Sequence, residues 1–265
     1  LLDYLAEVTL EQVVLTHGHE ENLGALAAIR AHYPHVPVYA SARTSALAND
    51  PARLKLQTYR RLTWGKPRRV ESVQLLDEID NRVETPNYHL RAVETPGHSA
   101  GHTCYFEPTQ RWLFSGDAFA AGRDSAWTPE ADLFNVLGSL RVLAGLRPER
   151  LFPSSGTIRR TPQPEIHEKI AYLSQLAGEV GKLEALGMNT AEISACLFER
   201  EQPLRFWTFG HYAPTHLIEA CSSYNALFLA EDDGNSRHNS AQSRFGDDTG
   251  ASGASESTDY SDFAR

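Results

Sequence analysis

Cysteine is scarce in this chain: three in 265 residues, Cys104, Cys196 and Cys221, without the close pairing of a metal knuckle or the even count of a disulfide framework. They read as buried free thiols in a reducing compartment, so a cytoplasmic location is expected. Long apolar runs are missing as well. No stretch approaches the roughly 18 residues needed to span a bilayer, and Leu1-Leu2-Asp3 lacks the charged-then-apolar start of a signal peptide, so no membrane partner is expected. A basic surplus is also absent. The formal net charge is −9, and residues 231–265 alone hold eight acidic residues against three arginines. Phosphate neutralisation needs the opposite balance, so no nucleic-acid partner is expected. The one basic cluster, Arg60, Arg61, Lys66, Arg68 and Arg69, reads as a solvated face, with an anionic substrate as the other option.

What the chain does contain is three short clusters in a fixed order: His17-Gly18-His19, Pro96-Gly97-His98 and Ser115-Gly116-Asp117. Each follows a segment with strand character: Gln12 to Thr16, Leu90 to Thr95 and Trp112 to Ser115. Helical spacing resumes at Leu23, Leu26, Ala27 and Ile29, so the first histidine pair sits between a strand and a helix, where Gly18 permits the turn. Three imidazoles and a carboxylate at three strand ends suit Zn²⁺, which binds neutral imidazole and carboxylate and, in a catalytic site, keeps a position for water. Chance polar loop residues would explain any one cluster, but not all three behind strands.

The segments Thr16-His17-Gly18-His19-Glu20-Glu21-Asn22-Leu23-Gly24, Thr95-Pro96-Gly97-His98-Ser99-Ala100-Gly101-His102-Thr103 and Phe114-Ser115-Gly116-Asp117 together resemble the metallo-β-lactamase-fold hydrolases. The resemblance covers about residues 10–230. It implies an α+β fold, a four-layer αβ/βα sandwich, with His17, His19, His98 and Asp117 as ligands of one metal and Asp117 matching the carboxylate that bridges to a second. Two departures stand out. The resemblance leads one to expect Asp-His where Glu21 and Asn22 stand, and a histidine where Leu151-Phe152-Pro153-Ser154-Ser155-Gly156 places Ser155. Glu21 is about 1.5 Å longer than aspartate, whereas Asn22 and Ser155 are much weaker ligands for zinc than imidazole. A single Zn²⁺ is therefore expected rather than two, with Glu21, Asn22 and Ser155 as a weak second set.

This reading makes Glu21 and Asp117 the catalytic carboxylates of a zinc-dependent hydrolase of the glyoxalase-II-like branch, acting on an ester, thioester or related acyl bond of a small molecule. The alternative is a non-catalytic relative whose degenerate metal site or cleft serves binding. His102 precedes the strand Thr103 to Phe106 and suits packing or a substrate-facing position. His211, in Thr208-Phe209-Gly210-His211-Tyr212, resembles a C-terminal loop that faces the site in some relatives. Oligomeric state is open.

The expected organisation is a metallo-β-lactamase-like domain over 1–160, a helical C-terminal extension over 161–230 and a disordered acidic Ser/Gly-rich tail over 231–265. Val36 to Ala40 should pair parallel to the first strand. Residues 43–64 have helical spacing and are expected to cover the cleft. Val73 to Leu76 and Tyr88 to Thr95 should begin an antiparallel group. Leu133 to Leu146 reads as an amphipathic helix and Arg150 to Phe152 as a short strand. Residues 164–200 read as helical, with Gly187 as a stop and Thr190 as an N-cap, and Pro214 begins another helix through Leu229. Only about a dozen residues precede the first strand, and Leu1 stands where an initiating methionine would. The chain is therefore expected to be a fragment lacking its first strands, whose exposed edge would aggregate or borrow a partner.

Overall fold

In a computed structural model, which describes residues 1–120, 122–198 and 203–227, a one-turn helix α1 (Leu2–Leu5) leads into alternating strands and helices. These are β1 (Val13–Val14), α2 (Glu20–Leu23), α3 (Leu26–His32), β2 (Val38–Ala40), α4 (Ala42–Asn49), α5 (Thr58–Thr63) and β3 (Gln74–Leu75). The three strands form a parallel sheet in the order β1-β2-β3, with Val13 opposite Val38 and Tyr39 opposite Gln74. Helical crossovers impose that direction, because a chain that leaves a strand through a helix returns parallel to it. The segment 73–76 therefore does not open the antiparallel group, as its sequence suggested. It closes the first sheet instead. The helical spacing over 43–64 is also divided: α4 ends at Asn49, and Pro51 begins a separate 3-10 turn, Pro51–Arg53.

A second sheet follows: β4 (Arg82–Glu84), β5 (His89–Glu94), β6 (Thr103–Glu107) and β7 (Trp112–Gly116), all antiparallel, and then, after α6 (Leu133–Gly145), β8 (Arg150–Pro153), parallel to β7. Side-chain alternation along these strands builds two cores. Ala92, Tyr105 and Phe114 face the first sheet and meet Val14 and Tyr39. Val93, Cys104, Phe106 and Leu113 face the other way, onto Leu137 and Leu140 of α6 and onto Leu173 and Leu176 of α7 (Pro162–Ala185). On the outer face of the first sheet, Leu15, Val38 and Ala40 pack on Leu23, Leu26 and Ala48 of α2, α3 and α4. The layers thus run helix, sheet, sheet, helix, which is the expected four-layer αβ/βα sandwich. Tyr105 Oη donates to Leu15 O at 2.8 Å and the Thr103 amide donates to Thr16 O at 2.7 Å, tying the sheets together beside the first histidine pair.

The chain continues through α8 (Thr190–Leu197) and α9 (Pro203–Trp207) into a helical stretch over 214–225, whose Leu217, Ile218 and Cys221 join the outer core. Asn189, not Thr190, caps α8. Its side chain accepts from the amides of Ala191 and Glu192, while Glu192 bonds back to the Asn189 amide. Cys104 and Cys221 are buried, but Cys196 is exposed on α8, contrary to the expectation for all three. All elements named lie in the compact unit Leu1–Asn225. The tail reading for 231–265 falls outside the described residues.

Candidate metal centre

Chain geometry at three strand ends delivers the ligands. After β1 the chain bends at Thr16, and His19 becomes the N-cap of α2. Gly18 does not use the conformational freedom its sequence position suggested. It has no positive φ, and an added Cβ would stand 2.5 Å from Leu47 Cδ1, so a larger residue there would have to displace the Leu47 side chain. Gly97 does need its freedom: at φ +133° it brings His98 round beside α6, and a Cβ would stand 2.5 Å from the Val136 amide nitrogen.

His17, His19, His98 and Asp117 offer ligand atoms that all lie within 4.8 Å of one another. His17 Nε2 is 3.0 Å from His19 Nδ1, and His98 Nε2 is 3.2 Å from the same atom. Asp117 Oδ2 is 3.3 Å from His17 Nε2 and 3.6 Å from His98 Nε2. Ligand atoms placed about 2.0–2.2 Å from one ion lie no more than about 4.4 Å apart, so a set this compact can close around a single metal ion after small side-chain shifts. Protons alone explain the cluster poorly, because one hydrogen on His19 Nδ1 serves only one of its two imidazole neighbours. The outward nitrogens have partners of their own. His17 Nδ1 lies 3.1 Å from Thr16 Oγ1, and His19 Nε2 lies 3.5 Å from Glu130 Oε2, a carboxylate that accepts a proton from that nitrogen and so leaves the His19 Nδ1 lone pair to the centre.

The electrostatics agree. Burial, reinforced by the nearby His17, pushes His98 down to about 3, so its ring is neutral and its lone pair available. Burial would raise Asp117, but the hydrogen bond from His17, the neighbouring His98 and the Ser154 hydroxyl outweigh it and hold the carboxylate well below its usual range.

His102 is 1% exposed, which corrects the substrate-facing expectation. Its Nε2 accepts the Asp117 amide at 3.1 Å, so Nδ1 carries the proton and donates to Thr95 Oγ1 at 2.8 Å. That hydroxyl then donates to Cys104 Sγ at 3.2 Å, and the thiol donates to Ser115 O at 3.4 Å. This run of hydrogen bonds, with the ring stacked on His17 at 4.9 Å, fixes the loop that carries Asp117.

The residues expected as a weak second set separate. Glu21 lies beside the cluster, its Oε1 3.7 Å from His19 Nδ1 and its Oε2 3.3 Å from Arg60 Nη2. Asn22 Nδ2 lies 3.2 Å from His17 Nε2. Ser155 is not brought to the centre: its hydroxyl donates to Ala120 O at 3.1 Å, and the neighbouring Ser154 is the serine that donates to Asp117 Oδ1. His211 Nδ1 is 2.8 Å from Tyr59 Oη, and burial with the nearby Arg60 lowers its pKa.

Sequence reasoning missed Glu130, Tyr59, Ser154 and the Glu20–Arg60 pair. Arg60 belongs to no solvated face: it is 9% exposed, and its Nε bonds Glu20 Oε1, itself on a residue 1% exposed. No local motif signals a contact between residues 40 apart. Arg60 lies on the basic side of α5, and its burial follows only from how α5 packs against α2.

The profile of the Metallo-beta-lactamase superfamily matches residues 3–155. Thioesterase pkgB of Emericella nidulans is 28% identical over 184 residues, 68% of this chain and 43% of the relative. A hydroxyacylglutathione hydrolase of Pectobacterium carotovorum is 30% identical over 125 residues, 46% of this chain and 39% of the relative. The chain thus spans less than half the length of either curated relative. Among solved structures, a metallo-beta-lactamase family protein from Thermus thermophilus has a TM-score of 0.59 at 19% identity, over 83% of this chain and 79% of that one. A beta-lactamase domain protein from Burkholderia ambifaria has a TM-score of 0.58 at 22% identity, over 87% and 73% respectively. At these identities the structural likeness shows the fold alone.

Proposed function

Because the chain belongs to the metallo-beta-lactamase superfamily, we propose that it is a zinc-dependent hydrolase acting on an acyl bond, an ester or thioester, of a small molecule. The observation that carries this reading is the convergence of three imidazoles and a carboxylate whose ligand atoms lie within 4.8 Å of one another. The names of the two curated relatives, a thioesterase and a hydroxyacylglutathione hydrolase, favour the thioester. His17, His19, His98 and Asp117 would hold one ion, which when bound supplies an acidified water and polarises the acyl oxygen.

The remaining work belongs to the chain's own side chains. Glu21 takes the proton of the attacking water at Oε1, while Arg60 fixes Oε2 and so sets the direction of the free oxygen. Asp117 stays ionised, and Glu130 orients His19 from the ring nitrogen that faces away from the cluster. Tyr59 and His211, joined by their hydrogen bond, stand near Arg60 and Glu130 and present a hydroxyl and an imidazole to a leaving group.

Elemental analysis combined with a thioester assay tests the reading. About one zinc per chain is expected, lost in His98→Ala and Asp117→Ala together with hydrolysis, while Glu21→Gln keeps the metal and loses on the order of 10²-fold or more in kcat. Hydrolysis that is indifferent to His98→Ala and Asp117→Ala would remove it. A second reading, a relative that binds without cleaving, is favoured by Asn22 and by the serines at 154 and 155. It predicts a metal-loaded protein inert toward every thioester.

A further inference from the structure

The cavity on the α4 side of His19, about 410 Å³, is lined by more positive charge than the proposed hydrolysis uses. Arg43 lies in the first turn of α4, Arg53 ends the 3-10 turn after it, and Lys55 follows in the connection to α5. None of these three side chains has a hydrogen-bond or ion-pair partner among the described residues. The other charges at the cavity are already engaged: Arg60 with Glu20, and Glu130 with His19. The three unmatched cations therefore set the sign of the cavity, even though Glu20 Oε2 is buried at its wall without a partner.

The rest of the lining specifies shape. Leu47, Leu54 and Leu56 supply a half-buried apolar stretch, and Gly18 and His19 border the metal cluster. Ser99 Oγ, buried and without a hydrogen-bond partner, adds one available donor. A volume of this size takes a small-molecule arm, and apolar walls with a few polar groups are how such pockets fix orientation.

We propose that this cavity is an anion subsite in which Arg43, Arg53 and Lys55 hold a carboxylate or phosphate carried on an apolar arm of the substrate. The inference rests on the thioester reading above and names its substrate class: an acyl thioester with an anionic group beyond the scissile bond. Exposed cations of this kind act mainly through capture, so their effect is expected in KM and in salt dependence.

The test uses three probes with one acyl group: S-hexanoyl mercaptopropionate, its uncharged methyl amide, and S-hexanoyl mercaptoethyl phosphate. The zinc-loaded wild type should favour one or both anionic probes over the amide, with that preference falling as salt rises. In Arg43→Ala/Arg53→Ala/Lys55→Ala the anionic-to-neutral ratio of kcat/KM should fall about tenfold or more, carried by KM. Whichever anionic probe loses more identifies the group as carboxylate or phosphate. A ratio within about twofold of wild type overturns the subsite. Calorimetry with the matching non-hydrolysable thioethers separates the two layers of argument. Anion-selective binding lost in the triple variant supports the subsite even if no thioester is cleaved, and equal binding of charged and neutral thioethers overturns it even if hydrolysis is fast.

Discussion

Arg60→Met should destabilise the protein by about 3–5 kcal/mol, the usual consequence of removing one partner from a buried ion pair. The number follows from the surroundings of Glu20. That residue is 1% exposed, its Oε1 bonds Arg60 Nε, and its Oε2 is buried with no hydrogen-bond partner among the described residues. Once the guanidinium is gone, nothing compensates the buried carboxylate. Methionine retains most of the length and apolar stem of arginine, so little of the loss comes from a cavity. The second contact, to Glu21 at 3.3 Å, adds less, because Glu21 is 28% exposed and a solvated pair is worth about 0–1 kcal/mol.

The magnitude separates two explanations. If the pair were a surface interaction, the loss would stay below about 1 kcal/mol. If burial governs, Glu20→Gln/Arg60→Met should be more stable than Arg60→Met alone, because a neutral amide costs less to bury than an unpaired charge. Urea titrations followed by fluorescence of the four tryptophans, with a constant m-value, supply the comparison. A loss under about 1 kcal/mol for Arg60→Met, or a double variant no more stable than the single one, would refute the reasoning. The same substitution frees Glu21 Oε2, so kcat should fall in variant protein that is still folded and metal-loaded. Arg60→Lys should rescue only part of both effects, since one ammonium does not reproduce the fork that serves Glu20 and Glu21 together.

His102→Gln is expected to weaken zinc affinity by about tenfold, read by competition with a chromophoric chelator, because the Asp117 amide loses the acceptor that fixes its loop; an unchanged affinity would assign His102 to packing alone. Burial pushes the Cys104 thiol, despite its Thr95 hydrogen bond, and the Cys221 thiol up to about 12, so at neutral pH a thiol reagent should label only Cys196 in the native protein and all three cysteines after denaturation. These raised values stabilise the fold below the ordinary thiol value near 9, and that contribution should be lost as pH climbs from 9 toward 12, a slope that Cys104→Ala should reduce in alkaline urea titrations.

What the sequence disclosed depended on how local each signal was. The order of His17, His19, His98 and Asp117 was legible because each lies within a few residues of a strand end, and strand composition also located β5, β6 and β7. The direction of β3 was less legible: a two-residue strand carries no pattern of its own, and its pairing follows from the helices before it. Electrostatic partners were hidden for a different reason. Glu20 and Arg60 each look like ordinary surface residues in sequence, and Asp124 and Lys169, joined at 2.9 Å, are 45 residues apart along the chain. Only the packing of α5 on α2, or of α7 beside the loop after β7, makes these charges neighbours.

The same distinction explains the two departures at the second-metal positions. Glu21 and Asn22 lie beside the cluster because both belong to the single turn of α2, offset from His19 by two and three residues. Ser155 was misplaced because the loop after β8 has no such constraint: one residue of register decides which hydroxyl meets Asp117, and the bulge between Phe114 and Gly116 alters the pairing with β8 just where that loop begins. Motif alignment therefore transfers safely to helix-borne positions next to a ligand, but a loop position has to be read from hydrogen bonds. By that criterion Ser154 and His102, which hydrogen-bond the side chain and the amide of Asp117 respectively, are the residues that hold this carboxylate at the histidine cluster.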